Sequence, residues 1–254
     1  MSLHRRTWLK AAGASLAGLW LSACDRLTRN PGFMGFIGSA ENLSRQVQRA
    51  VTDRNALARE FSPADISPDF RPNGTLNPQD PAYVALRDGG FADYRLVVDG
   101  LVERPLSLSL AELRALPART QITRHDCVEG WSSIGKWTGA RLAPLLDRAG
   151  LKPQARYLVF HCADSLADGP DGRYYESIDL IDARHPQTIL AYEMNDAPLP
   201  VKHGAPLRLR VERQLGYKHA KYVMRIEAVE SFAHIHGGKG GFWEDRGYEW
   251  YAGI

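Results

Sequence analysis

Three cysteines in 254 residues, Cys24, Cys127 and Cys162, are too few and too far apart for a disulfide scaffold. No Cys-x-x-Cys pair is present, which removes the usual zinc knuckle. Charge of one sign is also lacking: 32 Lys+Arg stand against 29 Asp+Glu, a formal net charge of +3. A nucleic-acid groove would need a basic stripe, and none is visible. No Gly-x-Gly-x-x-Gly, no phosphate-binding P-loop and no internal repeat occur. What is present is 44% hydrophobic residues, enough for a proper core, with 23 glycines and 15 prolines that imply many turns and a strand-rich fold.

The chain starts His4-Arg5-Arg6-Thr7-Trp8-Leu9-Lys10, followed by an apolar and small run from Ala11 to Ala23. That run is too short to span a bilayer, which takes about 20 helical residues. A charged start before such a run reads as an export signal. The paired arginines resemble a twin-arginine signal, the route that carries folded proteins, and so imply a cofactor installed before export. Leu21-Ser22-Ala23-Cys24 resembles a lipobox. Residues 1–23 are then a signal peptide, Cys24 the lipidated N-terminus, and Asp25 a signal for retention at the inner membrane. The expected location is the periplasmic face of that membrane, held by lipid rather than by a spanning helix. An ordinary signal with an incidental cysteine is the alternative.

Residues 24–70 read as a tether with one short amphipathic helix, since Leu43, Val47, Ala50 and Val51 recur at helical spacing. Five prolines between Ser62 and Pro81 predict an irregular segment. Residues 71–254 read as the catalytic domain. Tyr94–Val98 alternates like a strand, and Asp99-Gly100 followed by Leu101-Val102 suggests a hairpin. Ser109 and Glu112 form a capping box for a short helix through Ala115. Gln121–His125 is a strand leading into Cys127. Leu142–Ala149 is a helix that Gly150 ends. Tyr157–Cys162, Ile189–Met194, Leu207–Val211 and Tyr222–Glu227 are further strands. Strands and short helices mix without strict alternation, which predicts an α+β fold rather than a doubly wound parallel sheet.

Cys127 follows a strand, in Arg124-His125-Asp126-Cys127-Val128-Glu129-Gly130-Trp131-Ser132. Cationic neighbours there would lower the thiol pKa, and a thiolate is a good ligand for a redox metal. An inert buried cysteine is the competing reading. Cys162, at the end of an apolar strand, reads as structural. A Cys127–Cys162 disulfide would defeat the metal reading.

Cys-Val-Glu-Gly-Trp-Ser, followed by Trp137-Thr138-Gly139, resembles the cysteine loop of sulfite-oxidase-type molybdopterin enzymes, above all the periplasmic methionine-sulfoxide reductase catalytic subunits. The similarity runs from about Asn73 to the C-terminus. It implies the molybdopterin-binding fold of mixed sheets and short helices, molybdopterin as cofactor, and Cys127 as the thiolate ligand of molybdenum. Asp164, in Phe160-His161-Cys162-Ala163-Asp164-Ser165, matches a position that contacts the pterin. His203-Gly204-Ala205-Pro206-Leu207-Arg208 resembles the family's His-Gly-x-Pro-x-Arg, whose His and Arg positions bind the cofactor. His219-Ala220-Lys221 is similar to a His-Val-Lys segment at the same spacing. Their cations suit the cofactor's phosphate tail. Asn73 matches a cofactor-contacting asparagine across a gap, or is a plain Asn-Gly turn. Tyr174 matches the active-site tyrosine of sulfite oxidases, with Tyr175 as its rival and a packed core tyrosine as the bland alternative.

The chemistry implied is two-electron oxygen-atom transfer on a small-molecule substrate. Sulfite oxidases follow their cysteine with Gly-Asn-Arg-Arg. Here Gly130-Trp131-Ser132 stands instead, with no Lys or Arg between the cysteine and Lys136. A neutral sulfoxide or related S- or N-oxide therefore suits the loop better than sulfite. The expected enzyme is a reductase fed by a membrane haem or quinol partner. A sulfite dehydrogenase-type oxidase is the alternative, and a non-catalytic lipoprotein binding module the competitor from another class. The chain stops soon after the last cofactor strand, so no C-terminal immunoglobulin-like dimerisation domain and a monomer are expected. The aromatic tail from Phe242 is expected to pack back onto the domain.

Overall fold

A computed structural model describes residues 30–169 and 172–254. The signal segment and Cys24 lie outside the described residues. The chain divides into two units, Met1–Thr52 and Asp53–Ile254.

The described part of the first unit is one helix, α1 (Pro31–Val51). It is longer than its apolar spacing suggested, because Asn30 caps it by accepting from the Gly32 and Phe33 amides and proline occupies its first turn. Leu43, Val47 and Val51 are exposed along it. No described helix is long and apolar enough to cross a membrane.

The second unit is built on two five-stranded sheets. In the first, β1 (Arg95–Gly100), β2 (Leu106–Ser109), β5 (Tyr157–Ser165), β6 (Arg173–Asp179) and β10 (Val223–Val229) run in the order β2-β1-β10-β5-β6. Only β1 and β10 are parallel; the other pairs are antiparallel. In the second, β3 (Ala118–Asp126), β4 (Ser132–Arg141), β7 (Ile189–Met194) and β8 (Ala197–Pro198) follow in that order, and β9 (Arg208–Arg210) pairs with β7. Short helices fill the connections: α2 (Pro81–Asp88), α3 (Leu110–Arg114), α4 (Leu142–Ala149) and α5 (Leu180–Ala183). This is the expected α+β class.

Local chemistry explains the ends of these elements. Ser109 and Glu112 make the capping box of α3, and left-handed Gly150 (φ 71°) ends α4. Asn195 and Asp196 both take positive φ (52° and 62°), as a two-residue hairpin turn between β7 and β8 requires. The expected hairpin after β1 exists with different bounds. Leu101 and Val102 lie in its loop, Val102 bridging to Leu151, and the second strand is Leu106–Ser109. The proline-rich segment holds a short 3-10 turn at Pro63–Asp65 and binds beside β3 and β4 through Phe61 N–H to Ile122 O and Ser67 N–H to Ile134 O.

One large apolar cluster joins the faces of β1, β5 and β10 to α3 and α4, with Leu96, Leu113, Leu145, Leu158, Phe160 and Ile226 at its centre. Each such side chain contributes roughly 1.5–3 kcal/mol by leaving water. The inner face of β3 is different: Gln121, Thr123 and His125 alternate inward and are all buried and polar. They meet Arg210 and Glu212. Gln121 donates to Glu212 at 2.8 Å, and Arg210 pairs with Glu212 at 2.5 Å with both side chains fully buried.

Candidate active site

The turn that follows β3 opens onto a cavity of about 680 Å³, mouth included. Cys127 stands there in a tight turn between β3 and β4, its amide donating to Trp131 O and its carbonyl accepting from Gly130. Cys127 and Cys162 are both free thiols, so the competing disulfide does not form. Cys162 is buried, as a structural cysteine should be. The expectation that cationic neighbours lower the Cys127 thiol is corrected. Burial pushes it up, and Arg71 and Arg208 offset that only in part. A metal cation, not the side chains, would have to ionise this sulfur.

Asn73, Asp164, Tyr174, His219 and Lys221 all line the same cavity as Cys127. Together with Cys127 they come from five separate stretches of chain. Lys221 is nearly buried, and its ammonium donates to the carbonyls of Asn73 (2.6 Å), Thr75 and Lys202 (3.2 Å). It therefore clamps the loop carrying Asn73 against the sheet. Gly204 (φ 114°) makes this possible, since a Cβ there would meet the Lys221 Cβ at 3.0 Å. Burial brings Lys221 down to about 7 and Asp164 up to about 6. Gly74 takes the left-handed conformation of a turn, and Asn73 beside it lines the cavity.

Arg208 and His203 stand behind this wall. Arg208 is fully buried on β9, and its Nη1 donates to the His203 carbonyl at 3.2 Å. Its Nε and Nη2 have no partner. Its guanidinium lies 5.3 Å from the Trp137 ring centroid. Burial, then the neighbouring Arg210, lowers it to about 9. His203 is held neutral, at about 3, by burial and by Arg208, Lys202 and Lys221. His125 and His219 are pressed well down for the same reasons, and their rings meet edge to face at 5.1 Å.

The two tyrosines of β6 separate by strand alternation. Tyr174 lines the cavity and donates to the Tyr217 carbonyl at 2.5 Å. Burial and the nearby Glu176 raise it, so the phenol stays protonated. Tyr175 points the other way and donates to Asp245. Ala220 is not brought to the cavity. Its amide donates to Lys218 O and its carbonyl accepts from Leu209, so both backbone groups are used within the fold.

Sequence reasoning missed Gly216, Tyr217, Trp243 and Tyr248 as lining residues. Gly216 had a legible rationale only in three dimensions: a Cβ there would meet His125 Nε2 at 2.5 Å.

The fit to a molybdopterin can be tested on unsatisfied atoms. Buried polar groups are normally hydrogen-bonded, and each exception calls for a ligand or water. Here several of the exceptions fall on the candidate residues and on His125 beside them: Arg208 Nε and Nη2, His203 Nδ1, His219 Nδ1, His125 Nε2 and Asn73 Oδ1 are all buried without a partner. A fully buried guanidinium with two idle N–H groups, near a neutral imidazole and an ammonium, fits the phosphate tail. A free cysteine on the same cavity fits a soft metal. The residues present therefore suit the group.

Known proteins agree with this geometry. The family model described as "Oxidoreductase molybdopterin binding domain" matches residues 84–234. The chain is 35% identical over 249 residues to the putative protein-methionine-sulfoxide reductase subunit YedZ1 of Azospira oryzae, covering 98% of this chain and 87% of that one. It is 38% identical over 148 residues to the protein-methionine-sulfoxide reductase catalytic subunit MsrP of Xanthomonas campestris pv. campestris, covering 55% of this chain and 46% of that one. It thus spans about half the length of that relative. Among solved structures, the sulfane dehydrogenase SoxCD of Paracoccus pantotrophus superposes with a TM-score of 0.50 at 26% identity, over 55% of this chain and 39% of that one. With the mixed sheets, the free Cys127 and the idle Arg208 in place, these matches make the chain a member of the molybdopterin-binding oxidoreductase family.

Proposed function

We propose that this protein reduces a sulfoxide or a related S- or N-oxide by two-electron oxygen-atom transfer, with Cys127 as the protein ligand of molybdenum. One observation carries the reading: Cys127 shares a cavity with Lys221 and Asn73, backed by an Arg208 whose buried Nε and Nη2 have no partner in the protein. Arg208, His203, His219 and Lys221 would hold the cofactor's phosphate and pterin, with Asp164 and Asn73 as acceptors. When bound, the cofactor supplies the oxygen-atom and electron exchange. The overall change is sulfoxide plus two protons and two electrons, giving thioether plus water. Tyr174, protonated and lining the same cavity, would orient the sulfoxide oxygen by turning its hydroxyl from the Tyr217 carbonyl to the substrate.

Two features favour a neutral substrate over sulfite. Glu129 lines the cavity, its carboxylate held by the Trp131 indole at 2.9 Å. Lys136, the first cation after the cysteine, pairs with Asp196 at 2.6 Å. The relatives' names, which specify protein methionine sulfoxide, support the same substrate class. Electrons would come from a membrane haem or quinol partner. Twin-arginine export and lipidation at Cys24 would hold the enzyme on the periplasmic face, where the exposed Leu43, Val47 and Val51 of α1 suit an interface.

The test is steady-state turnover of molybdenum-loaded protein with a reduced viologen and methionine sulfoxide, and separately with sulfite and an electron acceptor. Sulfoxide reduction is expected. Turnover of sulfite alone would replace this reading with a sulfite dehydrogenase. Protein made with cofactor biosynthesis intact, yet free of molybdenum, would leave only the binding module.

A further inference from the structure

The cavity has two ends of different chemistry. Asn73, Asp164, His219 and Lys221 form a polar end; Tyr174, Tyr217, Trp243 and Tyr248 form an aromatic one. The aromatic end closes on itself. Tyr174 stacks on Phe242 (centroids 5.7 Å, 29°), Phe242 meets Trp243 edge-on (5.3 Å, 88°), and Trp243 stacks on Tyr248 (5.2 Å, 26°). Tyr248 meets Tyr217 edge-on (5.3 Å, 85°), and the Tyr217 carbonyl takes the Tyr174 hydroxyl. Five rings and one hydrogen bond make a complete circuit.

The fold holds this circuit rigidly. Phe242 N–H donates to Tyr175 O, Tyr248 N–H to Trp243 O, and the Tyr217 hydroxyl to Glu249 O at 2.6 Å. Glu244, next to Trp243, is buried and bound to Lys218 at 2.6 Å, and Lys218 also holds Glu176 at 2.5 Å. The cations near the rings are engaged: Lys218 lies between two carboxylates, and Arg246 donates to the Phe242 carbonyl at 2.9 Å. An anion finds no unengaged charge at this end. The methyl group of a methyl sulfoxide finds ring faces and edges, apolar surface of the kind aromatic side chains supply.

We propose that Tyr217, Trp243 and Tyr248 form the substrate subsite that receives the S-methyl end of a methyl sulfoxide, leaving its S–O group turned toward the polar end. Recognition of the methyl group then rests on Tyr217 and the C-terminal tail, while the cysteine loop disfavours an anion. The proposal rests on the sulfoxide-reductase reading for its reaction but not for its binding. Its test therefore separates the two.

Methionine sulfoxide is titrated calorimetrically into oxidised, molybdenum-loaded protein with no reductant, so that no turnover occurs. The same ligand is then assayed as substrate with reduced viologen. Tyr248→Leu and Trp243→Ala are each expected to weaken Kd and raise KM roughly ten-fold, with kcat changed much less, and Trp243→Phe to recover most of the loss. Molybdenum content confirms that the variants are loaded; if Trp243→Ala is not, Tyr248→Leu alone decides. Unchanged Kd and KM in a loaded variant, with wild-type turnover intact, would overturn the subsite and leave the reductase. Ring-dependent binding without wild-type turnover would overturn the reductase and leave the subsite. Neither binding nor turnover in the wild type would overturn both.

Discussion

Arg208→Met is expected to stabilise the protein without its cofactor and to empty the protein that should carry it. The guanidinium is fully buried, with two N–H groups unpartnered. Lowering it from 12.5 to about 9 corresponds to roughly 5 kcal/mol against the charged form. The sign follows from the depressed basic group: the cost is present in full below about pH 9, and fades as pH rises toward the unfolded value. Methionine has a similar reach and no charge. It forfeits the contact with Trp137, about 1–2 kcal/mol for a desolvated cation over a ring. The net gain in cofactor-free protein is about 3 kcal/mol. For a domain of this size that raises Tm by roughly 6–12 °C. Thermal unfolding at pH 7 of protein from cells lacking cofactor biosynthesis measures it. In protein from cells that make the cofactor the order reverses, and molybdenum per chain falls at least about ten-fold, because an unpaired phosphate is left in the site. A variant that is less stable in both states and still keeps molybdenum would refute the assignment, making Arg208 a packing residue.

Cys127→Ala should abolish turnover and leave the unfolding free energy within about 1 kcal/mol of wild type, since the thiol is only half-buried in a turn; activity and unfolding curves check both parts. Lys221→Met should release the loop at Asn73 to Thr75 and cost about 3 kcal/mol, one for each carbonyl left unpaired, read from urea midpoints. In wild-type protein without cofactor, Lys221 is neutral above about pH 7 when folded yet protonated to 10.5 when unfolded, so stability should climb between pH 7 and 9 by up to about 1.4 kcal/mol per pH unit. That climb should be absent in Lys221→Met. Lys218→Met should cost about 3–5 kcal/mol by leaving Glu176 and Glu244 buried together without their cation, and denaturant unfolding reports it.

Short-range signals were legible in the sequence wherever a few neighbouring residues fix the outcome. The capping box at Ser109 and the Gly150 stop are of this kind. The cysteine loop and the residues proposed to hold the cofactor were singled out because Asp164, His203, Arg208, His219 and Lys221 occur in an order and spacing that resembles a family's. Strand β4 was not. Its inward positions include Gly135 and Gly139, which give no apolar alternation. They are needed because a Cβ at Gly139 would meet Leu190 O at 2.3 Å, and one at Gly135 the Phe70 ring at 3.1 Å. The inner face of β3 was hidden for the opposite reason: Gln121, Thr123 and His125 look solvent-facing until Arg210 and Glu212 arrive from far along the chain. The Cys127 thiol was misjudged because sequence proximity to Arg124 and His125 says nothing of burial. Arg124 turns outward to Asp126, and His125 is neutral. Ring contacts linking positions 174, 217, 243 and 248 are a product of topology alone.

Strand β6 serves two unrelated jobs by parity, Tyr174 toward the cavity and Tyr175 toward Asp245. Its ladder with β5 sets His161 opposite Tyr175 and Tyr157 opposite Asp179. Adding or deleting a single residue inside it would exchange the two phenols, sending one toward an aspartate and the other toward the reaction. Variation in length is therefore open to the connection between β5 and β6 but closed to β6 itself, and natural or engineered insertions should respect that boundary.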